Sequence, residues 1–253
     1  MNTLRKGIVL LTALGMAGCG GAAEVSPAET PAPTASAETT PVPSVTEETA
    51  AEPTQEEIIE AVYQSGKEST VCIFTPGGNN GTGFVFEEQY VITNDHVLYD
   101  TEDFTMIGAQ GQEYKGTIIC SDSGNDIAVI LADGMHAKSV TIADSAVSAG
   151  DTVICIGNPA DGQPFSHCTG TVLELNEEMQ EIFDKDRRFI LSDAPITSGY
   201  SGGPVFNREG ELIGISNAAF AGDLSAYDFD HLSLIIPIGR VREQIENTVS
   251  SGS

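Results

Sequence analysis

The sequence predicts an all-β domain built as two six-stranded β-barrels, with a short helix before them and another after. Three observations predict it. Short runs rich in Val, Ile, Phe and Thr recur between Gly, Asn, Asp and Pro from residue 71 to residue 236, a spacing typical of sandwiches and barrels. The runs fall into two sets of six, joined near residues 133–140. Helical periodicity is confined to the two ends, at 56–64 and 239–250.

Taken in order, residues 1–19 read as an export signal. Arg5 and Lys6 supply a charged start, residues 8–14 an apolar run too short to span a bilayer, and Ala17 and Gly18 lead to Cys19. Met16-Ala17-Gly18-Cys19 resembles the lipobox of bacterial lipoproteins, although leucine is commoner than methionine at its first place. The resemblance implies lipidation of Cys19 and attachment to a bacterial cell membrane, with a plain secreted form as the alternative. Two or three acyl chains anchor stably where one does not. Residues 20–54 are Ala, Pro, Thr, Ser and Glu with almost no large apolar side chain. Such a segment buries too little surface to offset chain entropy and is expected to be a disordered, extended tether.

The folded domain is expected over 55–253. Ile58, Ile59 and Val62 share one side of the helix at 56–64, and Thr54 is placed to cap it. The first strand set covers 71–74, 83–86, 90–93, 104–107, 115–120 and 127–131, for a barrel over about 68–135. The second covers 152–156, 168–175, 189–192, 204–206, 211–217 and 232–236, for a barrel over about 140–240. In the closing helix Val241, Ile245 and Val249 recur every four positions and form one apolar side.

Formal net charge is -26, from 37 acidic and 11 basic residues. Six of the acids and two of the bases precede residue 55, so the remainder carries 31 against 9, or -22. A nucleic-acid partner needs clustered Lys and Arg to displace counterions, and electrostatic attraction to an anionic bilayer needs the same. Both are excluded, and membrane attachment must be apolar or covalent.

Chemistry concentrates at three places. Thr197-Ser198-Gly199-Tyr200-Ser201-Gly202-Gly203-Pro204 lies between two apolar runs and holds Ser201 on a tight turn. His96 follows the run Val91-Ile92-Thr93, and Asp126 immediately precedes Ile127-Ala128-Val129-Ile130. Each alone fits turn or cap chemistry as well as catalysis. Together they stand in the order His, Asp, Ser, 30 and 75 positions apart, the first two in one strand set and the third in the other. Acyl transfer needs such a set. A serine hydroxyl is a poor nucleophile until a base takes its proton, and a carboxylate holds the base in the right tautomer.

That chain order is the one found in chymotrypsin-like serine proteases, and within them the sequence resembles the HtrA (Deg) proteases over about 55–245. The matching segments are Gly81-Thr82-Gly83-Phe84-Val85, Ile92-Thr93-Asn94-Asp95-His96-Val97, Asn125-Asp126-Ile127-Ala128-Val129 and Gly150-Asp151-Thr152-Val153-Ile154-Cys155-Ile156-Gly157-Asn158-Pro159. Residues 192–204, 210–215 and 235–237 match as well. The resemblance implies chymotrypsin-like barrels and a serine endopeptidase of exported or misfolded polypeptides, with no cofactor or metal. It implies Ser201 as nucleophile, His96 as general base and Asp126 as the group that orients it, with the N–H groups of Gly199 and Ser201 as the oxyanion hole. Activity is expected to fall in acid, because His96 must be neutral to accept the proton. The P1 pocket would be walled by Ile190, Leu191 and Pro195 on one side and Ser216, Asn217 and Ala218 on the other. Pro195, six before Ser201, stands where a pocket for Lys or Arg needs an acid, which points to a small aliphatic P1 residue.

The sequence departs from that family in two ways. Tyr200 replaces the asparagine usual before the serine, and no C-terminal PDZ domain is expected after the last strand. A catalytically inactive, chaperone-like peptide-binding protein on the same scaffold is therefore the alternative function. The 177–188 segment stands at the family's regulatory loop and also reads as a solvated hairpin tip. Asp223, Asp228, Asp230 and His231 read as an exposed acidic loop. Cys72, Cys120, Cys155 and Cys168 lie on apolar strands and serve either as small hydrophobes or as disulfides, with Cys155 and Cys168 on neighbouring strands. A homo-oligomer is left open.

Overall fold

Successive side chains of a strand point to opposite faces, and strands such as Thr70–Phe74 and Ile127–Ala132 bury both. The computed structural model describes residues 52–98, 101–173, 189–219 and 230–251. The export signal with Cys19, nearly all of the tether, the 177–188 segment, Asp223 and Asp228 lie outside the described residues.

The first sheet comprises β1 (Thr70–Phe74), β2 (Asn80–Phe86), β3 (Tyr90–Thr93), β4 (Thr105–Gly108), β5 (Glu113–Tyr114), β6 (Gly116–Asp122) and β7 (Ile127–Ala132). Their order is β5-β4-β1-β2-β3-β7-β6. The six runs expected from sequence are all present. The seventh strand, β5, is a two-residue piece pairing with β4 that passes through Lys115 into β6. The second sheet comprises β8 (Thr152–Gly157), β9 (Ser166–Thr171), β10 (Ile190–Ser192), β11 (Pro204–Phe206), β12 (Leu212–Ala219) and β13 (Ser233–Pro237), in the order β10-β13-β12-β11-β8-β9. Its two edges meet: Val172 bridges Ser192, Leu173 N donates to Leu191 O at 2.8 Å, and Asp193 N donates to Thr171 O at 3.3 Å. Both sheets curl as half-barrels and match the chymotrypsin-like double-barrel plan.

Alternation sorts the core into three parts. Along β7, Ala128 and Ile130 point into the first barrel with Val71, Ile73, Val85 and Met106. Ile127 and Val129 point the other way, into a cluster with Phe84, Ile92, Ile154, Ile156, Phe206, Ile215 and Ile236 that joins the two sheets. Val153, Cys155, Val205, Ile213, Ile235 and Tyr200 fill the second barrel. Each such Ile or Phe contributes roughly 1.5–3 kcal/mol on burial.

Helix α1 (Gln55–Lys67) opens on a capping box, with Glu57 N donating to Thr54 Oγ1 at 3.3 Å and Thr54 N to Glu57 Oε2 at 2.8 Å. The short helix α2 (Asp95–Leu98) directly follows β3. The C-terminal helix α3 (Ile238–Ser251) buries Val241 and Ile245 in the joining cluster, and its Gln244 donates to Cys120 Sγ at 2.9 Å. No helix among the described residues is long and apolar enough to cross a membrane.

Candidate active site

His96 lies on α2 rather than on an open turn. Val97 and Leu98 are buried in the first barrel and pin the helix there, while the His96 side chain keeps 38% of its surface exposed. Ser121 donates its hydroxyl to Asp95 beside it. Asp126 sits one residue before β7 with φ of +57°, a left-handed conformation that aspartate tolerates better than most residues. Its carbonyl accepts from Asn94 Nδ2 at 2.8 Å.

The turn at Asp126 brings its carboxylate onto His96 twice. His96 N donates to Oδ1 at 3.0 Å, and Nδ1 lies 2.8 Å from Oδ2. A carboxylate only accepts, so Nδ1 carries the proton and the lone pair of the neutral ring is on Nε2. Burial works to raise the Asp126 pKa, but the bonds from the His96 ring, the His96 backbone and Asn217 outweigh it and hold the carboxyl below its usual range.

Ser201 comes from the other sheet. Its turn is closed by Tyr200 N to Thr197 O at 3.1 Å and Gly203 N to Tyr200 O at 2.9 Å. The turn is tied to β12 by Gly202 N to Ser216 O and Ser216 N to Gly203 O, both 2.9 Å. Asn217 links the two halves. Its side-chain Nδ2 donates to Asp126 Oδ2 at 2.5 Å, and its backbone carbonyl accepts the Ser201 hydroxyl at 2.9 Å. A pairing irregularity between Ser216 and Ala218 accompanies this placement, as bulges re-aim side chains.

Sequence reading assigned Asn217 to the P1 pocket and did not anticipate its bond to Asp126. The other expected pocket residues are spread over two strands and a loop. Ile190 and Leu191 are in β10, with Leu191 buried; Pro195 is exposed on the loop after it; Ala218 is half-buried in β12. Ser216 is buried in β12, and its hydroxyl has no hydrogen-bond partner among the described residues. Gly199 is buried at φ of +98°. Among the described residues neither Gly199 N nor Ser201 N donates to a backbone carbonyl.

Tyr200 is 5% exposed and packs its ring onto Gly157, where even a Cβ would come within 2.5 Å of it. Burial, reinforced by neighbouring Cys168, pushes its hydroxyl pKa up. Cys155 and Cys168 are directly opposite across β8 and β9, and both are free thiols. The bond between them favours the proton on wholly buried Cys155 and the thiolate on half-exposed Cys168, which the Tyr200 hydroxyl also supports. Asp230 and His231 are exposed.

Comparison with known proteins places this geometry in context. A family model described as a trypsin-like peptidase domain matches residues 81–215. A probable periplasmic serine endoprotease DegP-like from Brucella suis biovar 1 (strain 1330) is 32% identical over 177 residues, covering 68% of this chain and 33% of that protein. A serine protease HtrA-like from Staphylococcus aureus (strain USA300) is 30% identical over 190 residues, covering 68% of this chain and 24% of that protein. The chain thus spans about a third or less of these relatives. The crystal structure of the serine endoprotease from Yersinia pestis superposes with a TM-score of 0.65 at 24% identity, covering 80% of this chain and 69% of that one.

Proposed function

Since the chain belongs to the trypsin-like peptidase family, with DegP- and HtrA-like serine proteases among its relatives, we propose that it is an HtrA-type serine endopeptidase working outside the cytoplasm. The observation that carries the reading is the double grip of Asp126 on His96, through ring and backbone at once. It leaves Nε2 as the basic atom, which general-base catalysis requires. In this reading Ser201 Oγ attacks the scissile carbonyl as His96 Nε2 takes its proton. The carbonyl becomes a tetrahedral oxyanion held by Gly199 N–H and Ser201 N–H. Protonated His96, steadied by Asp126, then gives the proton to the leaving amine, and water repeats the sequence to release the acyl group. Ile190, Leu191, Pro195, Ser216, Asn217 and Ala218 bound the P1 site, which takes a small aliphatic residue.

Export through residues 1–19 and lipidation at Cys19 fix the domain of 55–253 to a membrane through the 20–54 tether. The Brucella relative's description as periplasmic supports the same side of the membrane. Incorporation of an alkyne fatty acid that Cys19→Ser abolishes tests the anchor.

One observation favours the second reading, a peptide-binding protein without turnover. A hydroxyl has a single proton to donate, and that of Ser201 is given to Asn217 O. The serine must therefore turn from this carbonyl before His96 can activate it. Labelling of the purified protein by a fluorophosphonate, together with cleavage of an unfolded protein substrate, separates the two readings. The endopeptidase reading expects both, and expects Ser201→Ala to abolish both. Stable peptide binding with neither labelling nor cleavage overturns it.

A further inference from the structure

Thr82, near the start of β2, lies in the segment Gly81-Thr82-Gly83 that matches the protease family, and the mechanism above gives it no task. It is completely buried, and every polar group it has is engaged. Its N–H donates to Ser201 O at 2.9 Å. Its hydroxyl donates to Gly199 O at 2.7 Å and accepts from Asn158 N at 2.9 Å. Its carbonyl accepts from Thr93 Oγ1 at 2.7 Å. The first three partners belong to the second half of the chain, 76 to 119 positions away, so one residue of the first barrel holds the carbonyls on both sides of Tyr200.

The peptide before Gly199 is held as well, since Ala160 N donates to Ser198 O at 3.1 Å. In a trans peptide C=O and N–H point in opposite directions. Tying Ser198 O to Ala160 therefore directs Gly199 N–H away from Ala160, and tying Gly199 O to Thr82 sets the next peptide. Gly199 itself supplies no restraint. Its φ of +98° is open to glycine and closed to most side chains, and a Cβ there would lie 2.0 Å from Asn158 O. The orientation of its two peptides must come from their partners.

We propose that Thr82 is a positioning residue for the oxyanion hole. Its hydroxyl, acting from the other barrel, keeps the 198–201 turn in the arrangement that presents Gly199 N–H and Ser201 N–H to the reacting carbonyl. The inference rests on the hydrolytic reading above. Without the hydroxyl, Gly199 O and Asn158 N keep only each other at 3.3 Å, and the flexible glycine turns its peptides out of the productive arrangement for part of the time. The oxyanion forms after substrate binds, so the loss falls on the chemical step.

Thr82→Val keeps the shape and removes the hydroxyl; Thr82→Ser keeps the hydroxyl. Steady-state cleavage of a peptide substrate is expected to show kcat lower by about tenfold or more in Thr82→Val, up to the 10²–10³ that outright loss of an oxyanion donor costs, with KM changed by less than about threefold. Thr82→Ser is expected to recover most of the rate. Affinity for a peptide boronic acid, which forms the tetrahedral adduct, should fall in the same proportion as kcat. Affinity for the uncut peptide, measured in a Ser201→Ala background, should not change. Thr82→Ala takes the place of Thr82→Val if circular dichroism shows the latter unfolded. A folded hydroxyl-free variant with wild-type kcat, or with a raised KM alone, overturns the proposal. Absence of cleavage by the wild-type protein overturns the endopeptidase reading instead, so the two failures are distinct.

Discussion

Asn217 donates its side-chain amide to Oδ2 of Asp126, the same oxygen that binds the His96 ring. The aspartate is thereby held from both barrels. Asn217→Ala keeps the carbonyl facing Ser201 and removes only the amide. A hydrogen bond to a charged group contributes roughly 1.5–3 kcal/mol, so kcat/KM is expected to fall about tenfold or more. Asn217→Asp sets a second carboxylate against Asp126 and favours a shared proton. Its loss of activity is expected to grow as pH is lowered from 8 to 6, which a pH–rate profile measures directly.

The Asp126 carboxyl is held below its usual range in the folded protein by bonds that oppose the effect of burial. The folded state therefore binds this proton less readily than the unfolded chain, where the value is about 3.9. The stabilisation is present above about pH 4 and is lost as pH falls through the folded-state value. Urea midpoints of the wild type and Asp126→Asn should converge between about pH 5 and pH 2. A constant gap across that window would contradict the assignment.

Tyr200 occupies the core of the second barrel. Tyr200→Ala opens a cavity and is expected to cost about 3–5 kcal/mol in equilibrium unfolding. Tyr200→Phe keeps the ring on Gly157 and is expected to cost about 1 kcal/mol, the typical net value of one hydrogen bond. Chemical denaturation of both variants gives the comparison.

Among Cys72, Cys155 and Cys168, the thiolate is favoured on half-exposed Cys168. Burial pushes Cys72 up to about 12, and Cys155 holds its proton on Cys168. Thiolates are the reactive form. Iodoacetamide is expected to modify Cys168 in the native protein and to reach Cys72 and Cys155 only on unfolding, as peptide mass spectrometry reads. Prior labelling of Cys72 would count against the packing described.

The pieces that sequence made legible share one property: their signal is local. The strand runs, the cap at Thr54 and the glycine-rich turn at Ser201 are each written within a few neighbouring residues, and the order of His96, Asp126 and Ser201 needed only a scan along the chain. The bond from Asn217 to Asp126 was not legible because strand alternation predicts a side chain's face only where pairing is regular, and the register shifts between Ser216 and Ala218. Thr82 drew no notice because its partners lie far along the chain and are backbone atoms, which leave no mark on residue identity. The two-residue strand β5 is too short to show alternation, so the Gly116 after the break at Lys115 reads as part of one run. Tyr200 looked like an obstacle beside the serine, whereas Gly157, 43 positions earlier, leaves room for its ring.

The contribution of His96, Asp126 and Thr82 by one barrel and of Gly199, Ser201 and Asn217 by the other has a consequence for the cell that makes the protein. A chain still emerging from the ribosome, or a fragment clipped between the halves, carries only part of the set. Cutting power would then be acquired late, in one step, when the second barrel closes against the first, and partly synthesised copies would pose no hazard to their surroundings.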